Sequence, residues 1–445
     1  MRNILINFGI IIIPLLISSN VLAKNPFLKD CKMSGKTFLT TSQCNFYLEA
    51  EGAVFDMEAD NGFINGLGTM KFPEGSFYRG GFVDAYFYGY GKYDLPEFNQ
   101  ASIGDYNAEG LIKGITILEG DVLVSEFEPA KAEFGTIHGR NSNVYIGGLK
   151  ELKYHGEGII YRIREDDNRS EKKGDYSFGI WEEGKLVVNY REDIETCEFD
   201  DNDRIINEFC YLRLLYDEVK IHGVYENDEL KFGFQEFIAE GLEGLVMGYF
   251  LNDELHGYGY TSENAENTEY YIGEYQNGLR HGYGNNVSTA SSYYGEYKLG
   301  KRDGFGYEVD EEKQALGIWR NDKRNGYFEI DYDSGKFIAS QFKDNMQHGL
   351  GYIQDLGKSY YGEFKNNKFD GYGVIYEGEN ITQGLFKDNE LQEELIFCKS
   401  LLGTHSTSPK DKKCSFGQSQ FTFREFIYAK NNGLGERWIE EYNKK

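Results

Sequence analysis

A pair of glycines nine residues apart, set among aromatic rings, recurs through the second half of the chain and constrains its fold more than any other feature. Tyr271 to Gly284 reads YIGEYQNGLRHGYG, Tyr294 to Gly306 reads YGEYKLGKRDGFG and Tyr360 to Gly373 reads YYGEFKNNKFDGYG. Shorter matches run from Met247 to Gly259 and from Leu316 to Gly326. The second glycine of the pair falls at Gly257, Gly282, Gly304, Gly326, Gly349 and Gly371, in steps of 25, 22, 22, 23 and 22 residues. A fixed period of this kind marks a repeat architecture in which each unit contacts mainly its neighbours.

Each unit reads as one β-hairpin. Gly273 and Tyr275 alternate with Ile272 and Glu274, the period of a half-exposed strand, and the Asn-Gly between the flanks tolerates the positive φ that tight turns demand. A step of 22 residues leaves no room for a helix between hairpins, so neighbours must pair edge to edge in one antiparallel sheet. The strand glycines then leave space for a ring from the adjacent strand and permit strong twist.

Less regular copies occupy the first half, as YRGGFVDAYFYGYG at Tyr78 to Gly91 and YIGGLKELKYHGEG at Tyr145 to Gly158. The pattern fades between Tyr190 and Phe250 and again after Leu391. The expected organisation is a signal peptide (1–23), a cap holding one cysteine pair (24–50), a first degenerate array (51–190), a central cysteine-pair insert (191–222), a second array (223–395) and a C-terminal cysteine-pair segment with a terminal repeat (396–445).

The leader carries one basic residue, an apolar run from Ile4 to Ile17 and Val21-Leu22-Ala23, which predicts cleavage after Ala23 and export to the periplasm or the cell exterior. Six cysteines fall in three local pairs, Cys31 with Cys44, Cys197 with Cys210 and Cys398 with Cys414, and local disulfides are the expectation. No pair has the spacing of a zinc site. With 73 acidic against 47 basic residues the net charge is -26, which argues against nucleic acid and disfavours an anionic membrane surface. At 16% aromatic residues the chain has rings enough to fold around, which argues against disorder.

These units resemble MORN repeats, whose pattern is an aromatic residue, any residue, Gly-Glu-aromatic, a polar turn, then Gly-x-Gly. The resemblance runs from about Met57 to Glu390 and implies an all-β fold of tandem hairpins forming an elongated, twisted, single-layer antiparallel sheet, with a groove lined by the motif aromatics. It also implies attachment as the role, to proteins, to other copies or to membranes. Gly147-Gly148, Gly248-Tyr249 and Ser340-Gln341 replace the Gly-Glu pair in their copies.

Apparent catalytic motifs dissolve into the repeat. Gly295 to Arg302 and Gly179 to Lys185 approach a phosphate-binding loop but lack the following Ser or Thr and the helix, and Gly35 to Thr37 lacks the first glycine. His155, His256, His281 and His348 share a position with Asp303, Asn325 and Asp370, which calls for a turn hydrogen bond and not a general base. Glu274, Glu296 and Glu363 read as a solvated face. Glu198 to Arg204 and Asp331 to Gly335 gather oxygen ligands of the kind calcium takes, without the length of an EF-hand loop, and solvated turns are the expectation.

The resulting expectation is a non-enzymatic exported scaffold, without cofactor or metal, that holds a protein partner or another copy of itself. The expected contact face carries Tyr275, Tyr283, Tyr297, Phe305, Trp319, Phe342, Phe364 and Tyr372. Glycan or cell-wall binding by the same rings is the alternative, followed by membrane association.

Overall fold

The computed structural model describes residues 33–34, 37–38, 44–50, 53–59, 66–84, 86–119, 121–127, 132–139, 143–164, 173–215, 219–239, 242–262, 269–400, 405–410 and 418–421. Residues 1–23, expected to form a leader, lie outside them. The described strands form two large antiparallel sheets in sequence order, one running from Cys44–Ala50 to Lys185–Asn189 and the other from Phe209–Leu215 to Gln418–Phe421. A one-turn helix, Tyr190–Asp193, follows the last strand of the first sheet. Each sheet is thus a single layer of consecutive hairpins.

The turns have the chemistry the repeat calls for. Both central residues sit at positive φ in Asn277-Gly278, Leu299-Gly300, Asn321-Asp322, Asp344-Asn345, Asn366-Asn367 and Asp388-Asn389, the signature of tight hairpin turns matched to strand twist. Each turn also docks on the hairpin before it. Asp322 N donates to Arg302 O while Asp322 Oδ1 accepts from Arg302 N at 2.9 Å. Asn345 clasps Arg324, Asn367 clasps Gln347 and Asn389 clasps Phe369 in the same two-bond way. Gly278 and Gly300 make only the backbone half, to Leu255 O and Arg280 O.

The glycines are explained by rings. A Cβ on Gly284 would lie 2.2 Å from the Tyr271 hydroxyl, and one on Gly306 would lie 2.2 Å from that of Tyr293. The ring fills the space above the glycine pair, and its hydroxyl donates to the carbonyl three residues on: Tyr271 to Glu274 O, Tyr293 to Glu296 O, Tyr360 to Glu363 O. Tyr78 and Tyr145 make the same bond to Gly81 O and Gly148 O, so the irregular first-half copies keep the lock although their Gly-Glu pair is lost.

The chain divides into two compact units, residues 98–346 and a second unit made of the segments before and after them. In the second unit Tyr78 stacks on Phe87 at 3.8 Å beside Phe82, and Tyr360 stacks on Phe369 at 3.6 Å with Phe364 and Phe386 against it edge-on. In residues 98–346 the two sheets lie face to face. Val144, Ile146 and Phe178 of the first pack with Phe232, Met247, Tyr260 and Ile272 of the second, and Ile115, Val122 and Val124 pack on Tyr283. Burial of these apolar side chains, at ~1.5–3 kcal/mol each, joins the layers.

Candidate functional site

The motif aromatics stand on two opposite faces, because strand residues alternate. Tyr275, Tyr297, Trp319 and Phe342 share one face with the ring-lock tyrosines of residues 98–346. There Tyr271 meets Tyr275 and Tyr297 edge-on at 5.1 Å, Tyr293 meets Tyr297 and Trp319, and Phe328 links Trp319 to Phe342. Arg280 lies over Tyr271 and Arg302 over Trp319, at 5.0 and 4.0 Å from the ring centres. Edge-to-face rings and cations over ring faces each contribute on the order of 1 kcal/mol. Phe364 occupies the matching place in the other unit.

Tyr283 and Phe305 point the other way, toward the motif glutamates. Glu274 Oε1 accepts from Tyr283 N at 2.8 Å, Glu296 Oε1 from Phe305 N at 3.1 Å and Glu363 Oε2 from Tyr372 N at 2.8 Å. These carboxylates are therefore internal braces and not the solvated face the sequence suggested. The second motif glycine is required beside them: Gly304 and Gly371 have φ of +126 and +118, and a Cβ at either would lie within 2.5 Å of the Glu296 or Glu363 carboxylate. Tyr283 Oη further donates toward Asp105 Oδ1 at 3.1 Å and Glu296 Oε1 at 3.2 Å, while Lys113 Nζ pairs with Glu274 Oε2 at 2.9 Å.

The eight residues expected to form a contact face are thus not one face, and seven of them are buried; Tyr372 is half-buried. Their rings are spent on the protein's own core. Burial also pushes the hydroxyls of Tyr271, Tyr293 and Tyr297 well above the ordinary tyrosine range.

Other expectations also find their place. Gly295 to Arg302 and Gly179 to Lys185 each span two strands of a hairpin. Asp303 and Asn325 accept hydrogen bonds from Asn321 N and Asp344 N, so in these two copies the shared position serves the next hairpin's turn. Nδ1 of His155, His256 and His281 makes no hydrogen bond among the described residues. Asp200, in the acidic turn, is occupied by Arg204 at 2.7 Å and by the amides of Asn202 and Arg204. Among the described residues no group of three or more His, Cys, Asp or Glu is arranged to hold a metal ion.

Cys197 and Cys210 form a disulfide. It fastens residues 195–197 along the outer edge of the first strand of the second sheet, where Cys197 N donates to Tyr211 O and Tyr211 N donates to Glu195 O. The central insert thereby covers a strand edge that would otherwise template pairing with another chain. Cys31 and Cys414 and the side chains of Cys44 and Cys398 lie outside the description.

The MORN repeat family model matches residues 60–77, 247–261, 271–285, 293–310, 317–327, 339–354 and 360–377. The chain is a MORN-repeat protein. Six of its seven matched MORN repeats are in the second sheet, and the ring-locked copies at Tyr78 and Tyr145 begin outside the matched segments. No curated protein matches the chain. No helix among the described residues is long and apolar enough to cross a membrane.

Asp105, Lys113, His138 and His222 were not singled out from the sequence. Asp105 takes the motif Glu place in the degenerate copy Gly104-Asp105-Tyr106, and that was the available signal; the other three stand at places the motif leaves variable.

Among the apolar side chains that the MORN repeats leave exposed, three lie at consecutive turn tips. Leu251, Leu279 and Leu299 are 41%, 47% and 59% exposed at the tips of three consecutive hairpins. The turn-to-hairpin bonds at Leu255 and Arg280 set these tips side by side.

Proposed function

We propose that this MORN-repeat protein is a non-enzymatic, exported scaffold that binds a protein, or another copy of itself, through the hairpin tips of its second array. The supporting observation is the row of exposed Leu251, Leu279 and Leu299, because the motif rings and carboxylates are already engaged inside the fold. Apolar groups repeated on adjacent rigid turns add weak contacts into useful avidity. The disulfide and the apolar leader support export.

The test combines sedimentation of the purified protein, capture of partners from a periplasmic extract and a glycan array. A specific partner or a dimer, lost on changing Leu251, Leu279 and Leu299 to Asp in a variant that keeps its thermal stability, supports the reading. Strong glycan retention with neither partner nor dimer overturns it in favour of a carbohydrate-binding module.

A further inference from the structure

Two buried histidines stand where the sheets of residues 98–346 meet. His138, on Ala132–His138 of the first sheet, stacks on Tyr270 of the second at 4.2 Å and 11°, with Tyr260 behind at 6.1 Å. Its Nε2 is buried and makes no hydrogen bond among the described residues. His222, on Val219–Glu226 of the second sheet, has the Tyr176 hydroxyl of the first within 2.9 Å and the Tyr211 hydroxyl at 3.0 Å from Nδ1. Its ring lies 4.9 Å from Phe234. Each imidazole therefore touches both layers.

We propose that this contact is an acid-sensitive latch: His138 and His222 hold the sheets together while neutral, and their protonation releases the second sheet's inner face, which carries Tyr258, Glu274 and Tyr283.

The surroundings oppose charge at both sites. His138 meets Tyr260 and Tyr270 across the interface and one acidic group, Asp121, on the neighbouring strand; burial outweighs that carboxylate and holds the imidazole down at about 4. His222 meets Tyr176 on the first sheet, Tyr211 and Arg213 on the strand beside it, Arg191 on the short helix and Lys220 on its own strand, with Glu236 acting on Tyr176. Burial and the three cations hold it at about 4 as well.

The sign follows from linkage. A histidine whose value is lowered in the closed form favours closure above its ordinary value near 6.5 and loses that advantage as pH falls toward 4. As pH falls from 7 to 5 each histidine moves the balance toward the open form, His222 by less than His138 because Arg213 and Lys220 stay beside it on its own sheet.

Hydrogen exchange of the full chain, corrected for intrinsic rates, at pH 7.0, 6.0 and 5.0 tests this. Protection in 132–138, 219–226 and 270–276 should fall by more than tenfold across that range, while 313–332 stays protected. The paired His138→Gln and His222→Gln variant should hold its protection. Equal loss in that variant, or equal loss throughout the wild type, overturns the latch. Should the variant not fold, NMR titration of the wild-type imidazoles decides: ordinary titration near 6.5 with the sheets still protected refutes the proposal.

Discussion

The hydroxyl of Tyr283 lies 3.1 Å from Asp105 Oδ1, a bond between a repeat tyrosine and a carboxylate 178 residues earlier in the chain. It joins the inner face of a MORN repeat to the first sheet, in a space walled by Ile115, Val122 and Val124. Changing Tyr283 to Phe keeps the ring and removes the donor. The expected cost is ~1–3 kcal/mol, as for leaving a buried acceptor short of a partner. Urea unfolding measures it, and Asp105→Asn should couple to it in a double-mutant cycle.

The motif glutamates are expected to act as acceptors first and charges second. Glu363→Gln keeps an oxygen for Tyr372 N and should be nearly neutral, whereas Glu363→Ala should cost roughly 1–2 kcal/mol. Gly304→Ala should cost more, ~2 kcal/mol or above, since it combines a φ of +126 with a Cβ 2.5 Å from the Glu296 carboxylate. Thermal unfolding of the three variants ranks them.

The incomplete clasps can be completed. Gly300 has a φ of +82, which Asn tolerates, and a Cβ there meets only Leu279, at 3.8 Å. Gly300→Asn places a side-chain acceptor where Asp322, Asn345 and Asn367 have one, within reach of Arg280 N. We expect stabilisation of about 0.5–1.5 kcal/mol from the added hydrogen bond and the stiffer unfolded chain. The reverse change, Asn367→Gly, should lose a similar amount by the same denaturation measurement.

Removing the disulfide should do two separable things. Cys197→Ser with Cys210→Ser should lower stability by roughly 2–4 kcal/mol, as for a loop of this length. It should also loosen residues 195–197 from Tyr211 and expose that strand edge, so that self-association rises with concentration in light scattering. Stability loss without association would mean that the edge remains covered.

The hairpin, its turns and its repeat were legible in the order of residues alone. Asn277-Gly278 and Asn366-Asn367 are local instructions, since positive φ is a property of two residues, and Gly284 beneath Tyr271 is required by a ring on the paired strand of the same hairpin. The pairing of Cys197 with Cys210 was also legible, because the two are near in the chain and far from other cysteines. Which side of the sheet each aromatic serves, and what lies against it, emerged from the packing of the two layers. Tyr283 and Tyr297 look alike in the motif, yet one faces Asp105 across the interior and the other packs against Tyr271 and Tyr293 on the opposite face. The meeting of Lys113 with Glu274, and of His138 with Tyr270, depends on two sheets packing across more than a hundred residues of chain. A repeat period encodes contacts between neighbours, and it carries no information about that distant surface.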